Sequence, residues 1–205
     1  MNLREKLKLY VITDGRLRDE IESVKLVLEG GAKAIQLRMK NSTTRQMVEK
    51  GIRIRKIVED YGALLFVDDR VDVALAIEAH GVHLGPEDMP LKMARIIAPQ
   101  LLIGATVHSV EEAIKAQEDG ADYIGAGSVY PTRSKENAVV IGLENLRRIV
   151  ESVRIPVVAI GGINIENVRN VLSTGVDGIA VISSILVAEN PKEATRRMLR
   201  EIEGR

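Results

Sequence analysis

Ser-Val-Glu-Glu-Ala-Ile-Lys-Ala-Gln-Glu-Asp-Gly-Ala-Asp-Tyr-Ile-Gly-Ala-Gly-Ser-Val, residues 109–129, holds the logic of the fold in one stretch. Val110–Glu118 has helical period. Ser109 stands where an N-cap belongs, and Glu112 three residues on makes it a capping box. Gly120 suits the left-handed turn that closes a helix. The apolar run Tyr123–Val129 then reads as a strand buried on both faces. Helix, glycine, turn and strand form one unit.

The unit recurs at residues 30–35 (Gly-Gly-Ala-Lys-Ala-Ile), 78–82 (Glu-Ala-His-Gly-Val), 119–124 and 174–179 (Thr-Gly-Val-Asp-Gly-Ile). Helix-to-strand turns select glycine in any case, so the repeat alone does not prove four βαβα quarters. The apolar runs support them. They are Leu9–Thr13, Ala34–Leu37, Leu64–Val67, Gly81–Leu84, Leu101–Val107, Tyr123–Val129, Val157–Ile160 and Gly178–Ile182. Between them lie amphipathic segments such as Thr43–Tyr61, with Met47, Ile54 and Val58 near one face, and Leu143–Val153. Asn164 reads as a plain N-cap, because Asn167 and not Glu follows it. Eight strands alternating with eight helices predict an α/β chain closed as a (β/α)8 TIM barrel, a single domain over residues 1–205. The chain is short for that fold, which typically needs about 250 residues.

Composition narrows the function. Lys plus Arg and Asp plus Glu are both 29, so the formal net charge is zero, against a nucleic-acid or anionic-membrane binder. The absence of Cys excludes disulfides, Cys-ligated metal and a thiolate nucleophile. One Phe, four Tyr and no Trp leave little for base stacking, and Tyr61 and Phe66 are expected in the core. No run suits a signal peptide or a membrane span, so a cytoplasmic protein is expected.

In such barrels the active site lies at the C-terminal ends of the strands. Gln36, Arg38 and Lys40 follow the second run and, at alternate positions, form one row. Arg binds phosphate in bidentate fashion and Lys as a point charge. Asp68, Asp69 and Arg70 follow the third run and Asp88 the fourth. The adjacent carboxylates cap the next helix or, with Asp88, hold Mg²⁺; spacing leaves both open. Thr106 ends the fifth run, and Thr132, Arg133, Ser134 and Lys135 lie in a long loop after the sixth. Gly161-Gly162 forms a turn or a backbone phosphate site, and Ser183-Ser184 opens a short apolar segment suited to an extra helix. His80, His83 and His108 form no convincing metal set or triad and are expected to be structural.

These pieces in order resemble the thiamine-phosphate synthase family over nearly the whole chain, from Leu9-Tyr10-Val11-Ile12-Thr13-Asp14 to Ile182-Ser183-Ser184-Ile185. The informative motifs are Gln36-Leu37-Arg38-Met39-Lys40, Asp68-Asp69-Arg70-Val71-Asp72, residues 81–89 (Gly-Val-His-Leu-Gly-Pro-Glu-Asp-Met), Pro131-Thr132-Arg133-Ser134-Lys135 and Ala159-Ile160-Gly161-Gly162-Ile163. The resemblance implies a Mg²⁺-dependent transferase that joins hydroxymethylpyrimidine diphosphate to a thiazole phosphate, giving thiamine phosphate and pyrophosphate. It implies that Gln36, Leu37, Arg38, Met39, Lys40, Asp68, Thr106 and Lys135 hold the pyrimidine diphosphate. Thr132, Arg133, Ser134, Gly162, Ile182 and Ser183 would hold the thiazole phosphate, and Asp69 and Asp88 the metal. Arg38, Lys40 and Lys135 would be the catalytic cations around the leaving group. The chain departs from the family pattern at Asp68, where Asn is usual, and at Thr106 and Ser134, which exchange Ser and Thr. A related thiazole tautomerase carries His near the end of the sixth strand, whereas Gly127-Ser128-Val129-Tyr130 has none. The implied partners are the two small substrates, with a homo-oligomer left open.

Overall fold

The computed structural model describes residues 2–132 and 139–204. Eight parallel strands close in sequence order into a barrel. They are β1 (Leu9–Ile12), β2 (Ala34–Leu37), β3 (Leu64–Asp68), β4 (Gly81–Leu84), β5 (Leu102–Val107), β6 (Tyr123–Ala126), β7 (Val157–Ile160) and β8 (Gly178–Val181). The expected barrel is observed, with β8 pairing back to β1 at Leu9–Ile179. Strand ends differ by a few residues from the apolar runs. The largest difference is at Tyr123–Val129, where the chain leaves the sheet after Ala126 and Val129 N–H donates to Ile160 O.

Strand parity separates two cores. Outward residues such as Val11, Ile35, Leu37, Val67 and Ile124 pack beneath the helices. The inward set is smaller: Tyr10, Ile12, Ala34, Leu64, Phe66, Tyr123, Val158 and Ala180, with Leu7 from α1 (Leu3–Leu7). Three of the five aromatic residues thus sit inside the barrel, Phe66 edge-on to Tyr10 and to Tyr123 with centroids 5.3 Å apart in each pair. Gly81 and Gly104 make the room: a Cβ on either would strike the ring of Phe66 or of Tyr123. Tyr61 does not join this core. It ends α3 (Thr44–Asp60) at 36% exposure, with its carbonyl accepting from Lys33 Nζ.

The repeated turn has a mechanism beyond its glycine. The residue before β4, β6 and β8 takes the N–H of the preceding strand on its side chain. Leu65 N–H donates to His80 Nδ1 at 3.0 Å, Ile103 N–H to an Asp122 oxygen at 2.8 Å, and Val157 N–H to an Asp177 oxygen at 2.8 Å. Each acceptor returns its own N–H to the same residue's carbonyl. Lys33 holds the equivalent place in the first quarter but has no side-chain acceptor; its carbonyl accepts from Leu64 N–H, and its ammonium goes to Tyr61 O.

Ten helices occur among the described residues, against the eight expected. The additions are α1, which plugs the lower mouth, and the anticipated short α9 (Ser183–Leu186). At α6 (Val110–Glu118) Ser109 Oγ accepts from Glu112 N–H, but the Glu112 carboxylate takes the N–H of His108 instead of Ser109, so the box closes one residue early. Full reciprocity is found at Thr43 and Gln46, which open α3. Asn164 caps a turn rather than a helix, since α8 (Val168–Leu172) begins four residues later. Among the described residues no helix is long and apolar enough to cross a membrane.

Candidate active site

A cavity of about 790 Å³ opens at the C-terminal ends of the strands. Gln36, Arg38, Lys40, Asp68, Asp69, Thr106, Thr132, Gly162, Ile182 and Ser183 all line it. Arg133, Ser134 and Lys135 lie outside the described residues. Three predicted residues are not on its lining: Asp88, whose carboxylate accepts from the N–H of the lining residue Gly85 at 2.7 Å, and Leu37 and Met39. Leu37 has outward parity and is wholly buried in the helix-facing core, so its side chain has no access to a ligand. Met39 packs against that core and faces a smaller cleft of about 160 Å³ beside Asp69 and Arg70.

Charge is concentrated on the wall formed by β1 to β4. Arg38 lies within 3.6 Å of both Asp14 and Asp68, and its backbone N–H donates to Thr13 Oγ1 at 3.0 Å. Asp14 is 4% exposed and is gripped by Arg16, whose bonds hold its carboxyl below the usual carboxylate range. It was not among the predicted site residues, though its position at the end of β1 is the signal that marks it. Lys40 Nζ pairs with Asp69 and reaches Asp68 at 3.2 Å. Burial works against its charge, but these carboxylates outweigh burial and raise its pKa. Asp68 is pushed up to about 6, chiefly by burial and then by Asp69, with Lys40 and Arg38 opposing.

The helix-cap alternative for Asp68 and Asp69 fails. Arg70 is the N-cap of α4 (Val71–Ala76), and no side chain caps it. Asp69 instead sits in the left-handed region at φ +64°, with its carboxyl close enough to that of Asp88 to raise it. Burial raises the Asp88 carboxyl, the Gly85 N–H opposes at 2.7 Å, and the charge of Asp69 raises it again. Two carboxyl groups this close must share a proton or a cation. Oxygen donors from two carboxylates, beside a cavity that admits phosphate oxygens, fit Mg²⁺. Among the described residues no group of three or more acidic or His side chains could hold a metal by itself, so substrate or water would have to complete the shell.

Among the described residues the opposite wall is nearly uncharged. Gly161 and Gly162 follow β7 with φ of +101° and +66°. A Cβ on Gly162 would lie 2.7 Å from Pro131 O and from Tyr130 Cβ, so only glycine fits. Thr132 and Ser183 bring hydroxyls to the same wall, and the Ser184 hydroxyl is buried without a hydrogen-bond partner. Peptide N–H groups and hydroxyls with little side-chain charge suit a phosphate monoester.

The cavity floor holds what the sequence missed. His83, expected to be structural, faces inward from β4 and bonds to Tyr123 Oη and Thr106 Oγ1, each at 3.0 Å. Burial pushes its imidazole down to about 4, so it is neutral. His108 also lines the cavity, held by Glu112. Parity within Gly81–Leu84 would have found His83: Val82 and Leu84 are the core face, which turns His83 inward.

A family model described as thiamine monophosphate synthase matches residues 9–185. The chain belongs to the thiamine monophosphate synthase family. One relative of the family, a thiamine-phosphate synthase of Pyrococcus furiosus, is 64% identical over 203 residues, covering 99% of this chain and 98% of its own length. Another from Methanococcus maripaludis is 48% identical, with 97% and 96% covered. A solved thiamine phosphate pyrophosphorylase of Pyrococcus furiosus superposes with a TM-score of 0.96 at 62% identity, covering 99% of this chain and 98% of that one. Family membership makes the chain a transferase.

Proposed function

We propose that this enzyme condenses 4-amino-2-methyl-5-(diphosphooxymethyl)pyrimidine with a thiazole phosphate, releasing thiamine phosphate and pyrophosphate, and that it requires Mg²⁺. The observation that carries the reading is the split cavity: paired cations and paired acids on one wall, glycines and hydroxyls on the other. One wall suits a diphosphate with its metal, and the other a monoester.

Arg38 and Lys40 would bind the diphosphate, turning from Asp14, Asp68 and Asp69 toward its oxygens. Asp69 and Asp88 would hold Mg²⁺, which when bound supplies charge neutralisation of the departing pyrophosphate. Lys135 is the third cation of this set. Gln36 and Thr106 orient the pyrimidine on the floor. Thr132, Arg133, Ser134, Gly162, Ile182 and Ser183 seat the thiazole phosphate so that its ring nitrogen faces the reacting carbon. The C–O bond breaks first, leaving a pyrimidine cation stabilised by the 4-amino group, and the thiazole nitrogen then captures it. No protein nucleophile is needed, in keeping with the absence of Cys. Catalysis rests on orientation and on stabilising charge that develops on the leaving group.

The order of bond breaking is tested with pyrimidine diphosphate labelled with ¹⁸O in the bridging position. A dissociative step predicts scrambling of label into non-bridging oxygens before product forms. Product formation with no scrambling in recovered substrate, under conditions where return is fast enough to see, contradicts it. Full activity in excess chelator would remove Mg²⁺ from the reading.

A further inference from the structure

We propose that Tyr10, Tyr123 and His83 form a directional hydrogen-bond relay through the barrel, which fixes the Gln36 amide and the Thr106 hydroxyl as a coupled acceptor and donor pair facing the cavity. Gln36 Nε2 donates to Tyr10 Oη at 3.1 Å. Tyr10 Oη and Tyr123 Oη are 3.0 Å apart, Tyr123 Oη and His83 Nδ1 3.0 Å, and His83 Nε2 and Thr106 Oγ1 3.0 Å. Five side chains from five different strands are thus joined in one unbranched chain.

Proton counting gives the chain its direction. Tyr10 and Tyr123 are 1% and 0% exposed, so water does not serve their hydroxyls. Each phenol has one proton to give. Tyr10 accepts from Gln36, so its own proton goes to Tyr123, and that of Tyr123 goes to His83 Nδ1. A neutral imidazole with Nδ1 as acceptor carries its proton on Nε2. That proton goes to Thr106 Oγ1, and the Thr106 proton is left for the cavity. Burial keeps both phenols protonated and the imidazole neutral, so no charged form interrupts the order. The order is all-or-none: reversing one link leaves a buried donor facing a donor unless every link reverses.

Tyr10, Tyr123 and His83 are therefore positioning residues. With Gln36 Nε2 held by Tyr10, its carbonyl oxygen is presented as an acceptor, while Thr106 offers a donor across the floor. Such a pair selects a heteroaromatic edge with an amino group and a ring nitrogen. That last step rests on the pyrimidine reading, but the relay itself does not.

The test reads the His83 tautomer by ¹⁵N NMR in the ligand-free chain at pH 8. His80→Gln and His108→Gln variants assign the three imidazoles. The relay predicts an Nε2–H tautomer in the wild type. Gln36→Glu supplies a carboxylate that only accepts, so Tyr10 must donate to it and every link reverses, moving His83 to Nδ1–H. Adding Tyr10→Phe removes the first two links and abolishes that response. Tyr123→Phe cuts the chain one link on and serves should Tyr10→Phe not fold. An unchanged tautomer in folded Gln36→Glu, or an equal response with Tyr10→Phe present, overturns the relay. In turnover, Tyr10→Phe alone raises KM for the pyrimidine diphosphate about tenfold with a smaller change in kcat, the cost of about one hydrogen bond. An unchanged KM would show that the relay does not position the site. Because the NMR measurement contains no substrate, its outcome is independent of which substrates the enzyme takes.

Discussion

Replacing Lys40 by Met removes the ammonium between two carboxyl groups while keeping the length of the side chain. Its nitrogen lies 3.2 Å from Asp68 and is bonded to Asp69. At an effective dielectric of about 20, one pair at that distance is worth roughly 5 kcal/mol. The Lys40 side chain is 48% exposed, so solvent screening reduces this to about 2–3 kcal/mol. The same ammonium serves the diphosphate when substrate is bound. The loss in kcat/KM is therefore roughly 30- to 200-fold. Mg²⁺ should respond in the opposite sense. Without Lys40, Asp69 and Asp88 lose their competing cation, and added Mg²⁺ should raise Tm more in the variant than in the wild type. The assays are steady-state pyrophosphate release and thermal melts with and without 5 mM-scale Mg²⁺, roughly saturating for such a site. Wild-type kcat/KM in Lys40→Met, or a smaller Mg²⁺ shift than in the wild type, would refute the assignment of this corner.

Three further outcomes follow from the same geometry. His80 accepts the Leu65 N–H through Nδ1, and burial first, then Arg55, lowers its pKa below 6.5. Its contribution is thus full above the unfolded value and lost as pH falls through the lower folded value; urea melts should show a weakening below pH 6.5 that His80→Gln flattens. Asp122→Ala strands the Ile103 N–H and takes from Arg95 its carboxylate, leaving it the carbonyls of Leu101 and Gly120, so stability should fall by about 2–3 kcal/mol while activity per folded molecule persists. Gly162→Ala forces a Cβ against Pro131 and Tyr130 at positive φ; KM for the thiazole phosphate should rise at least tenfold, roughly the cost of such strain, with pyrimidine diphosphate binding little changed.

The barrel was legible because strands buried on both faces and helices amphipathic on one leave different periods in the sequence. The quarter repeat was legible as glycine, but its acceptors at His80, Asp122 and Asp177 needed the strand ends to be seen together. Arg38, Lys40, Asp68 and Asp69 were found because they directly end strands. Leu37 was placed in the site by motif, and parity would have placed it in the core. The floor of Tyr10, His83 and Tyr123 escaped because its partners come from different strands, whereas Asp14, two residues from Arg16, was open to the same strand-end reading as Asp68. A lone His or Tyr in an apolar run carries no sign of whom it faces.

The most direct measurement mixes the purified enzyme with the pyrimidine diphosphate, a thiazole phosphate and Mg²⁺, and follows both products. The split cavity predicts thiamine phosphate and pyrophosphate in equal amounts, with neither formed when one substrate is withheld. Pyrophosphate released at the same rate without the thiazole phosphate, or no thiamine phosphate at all, would contradict it.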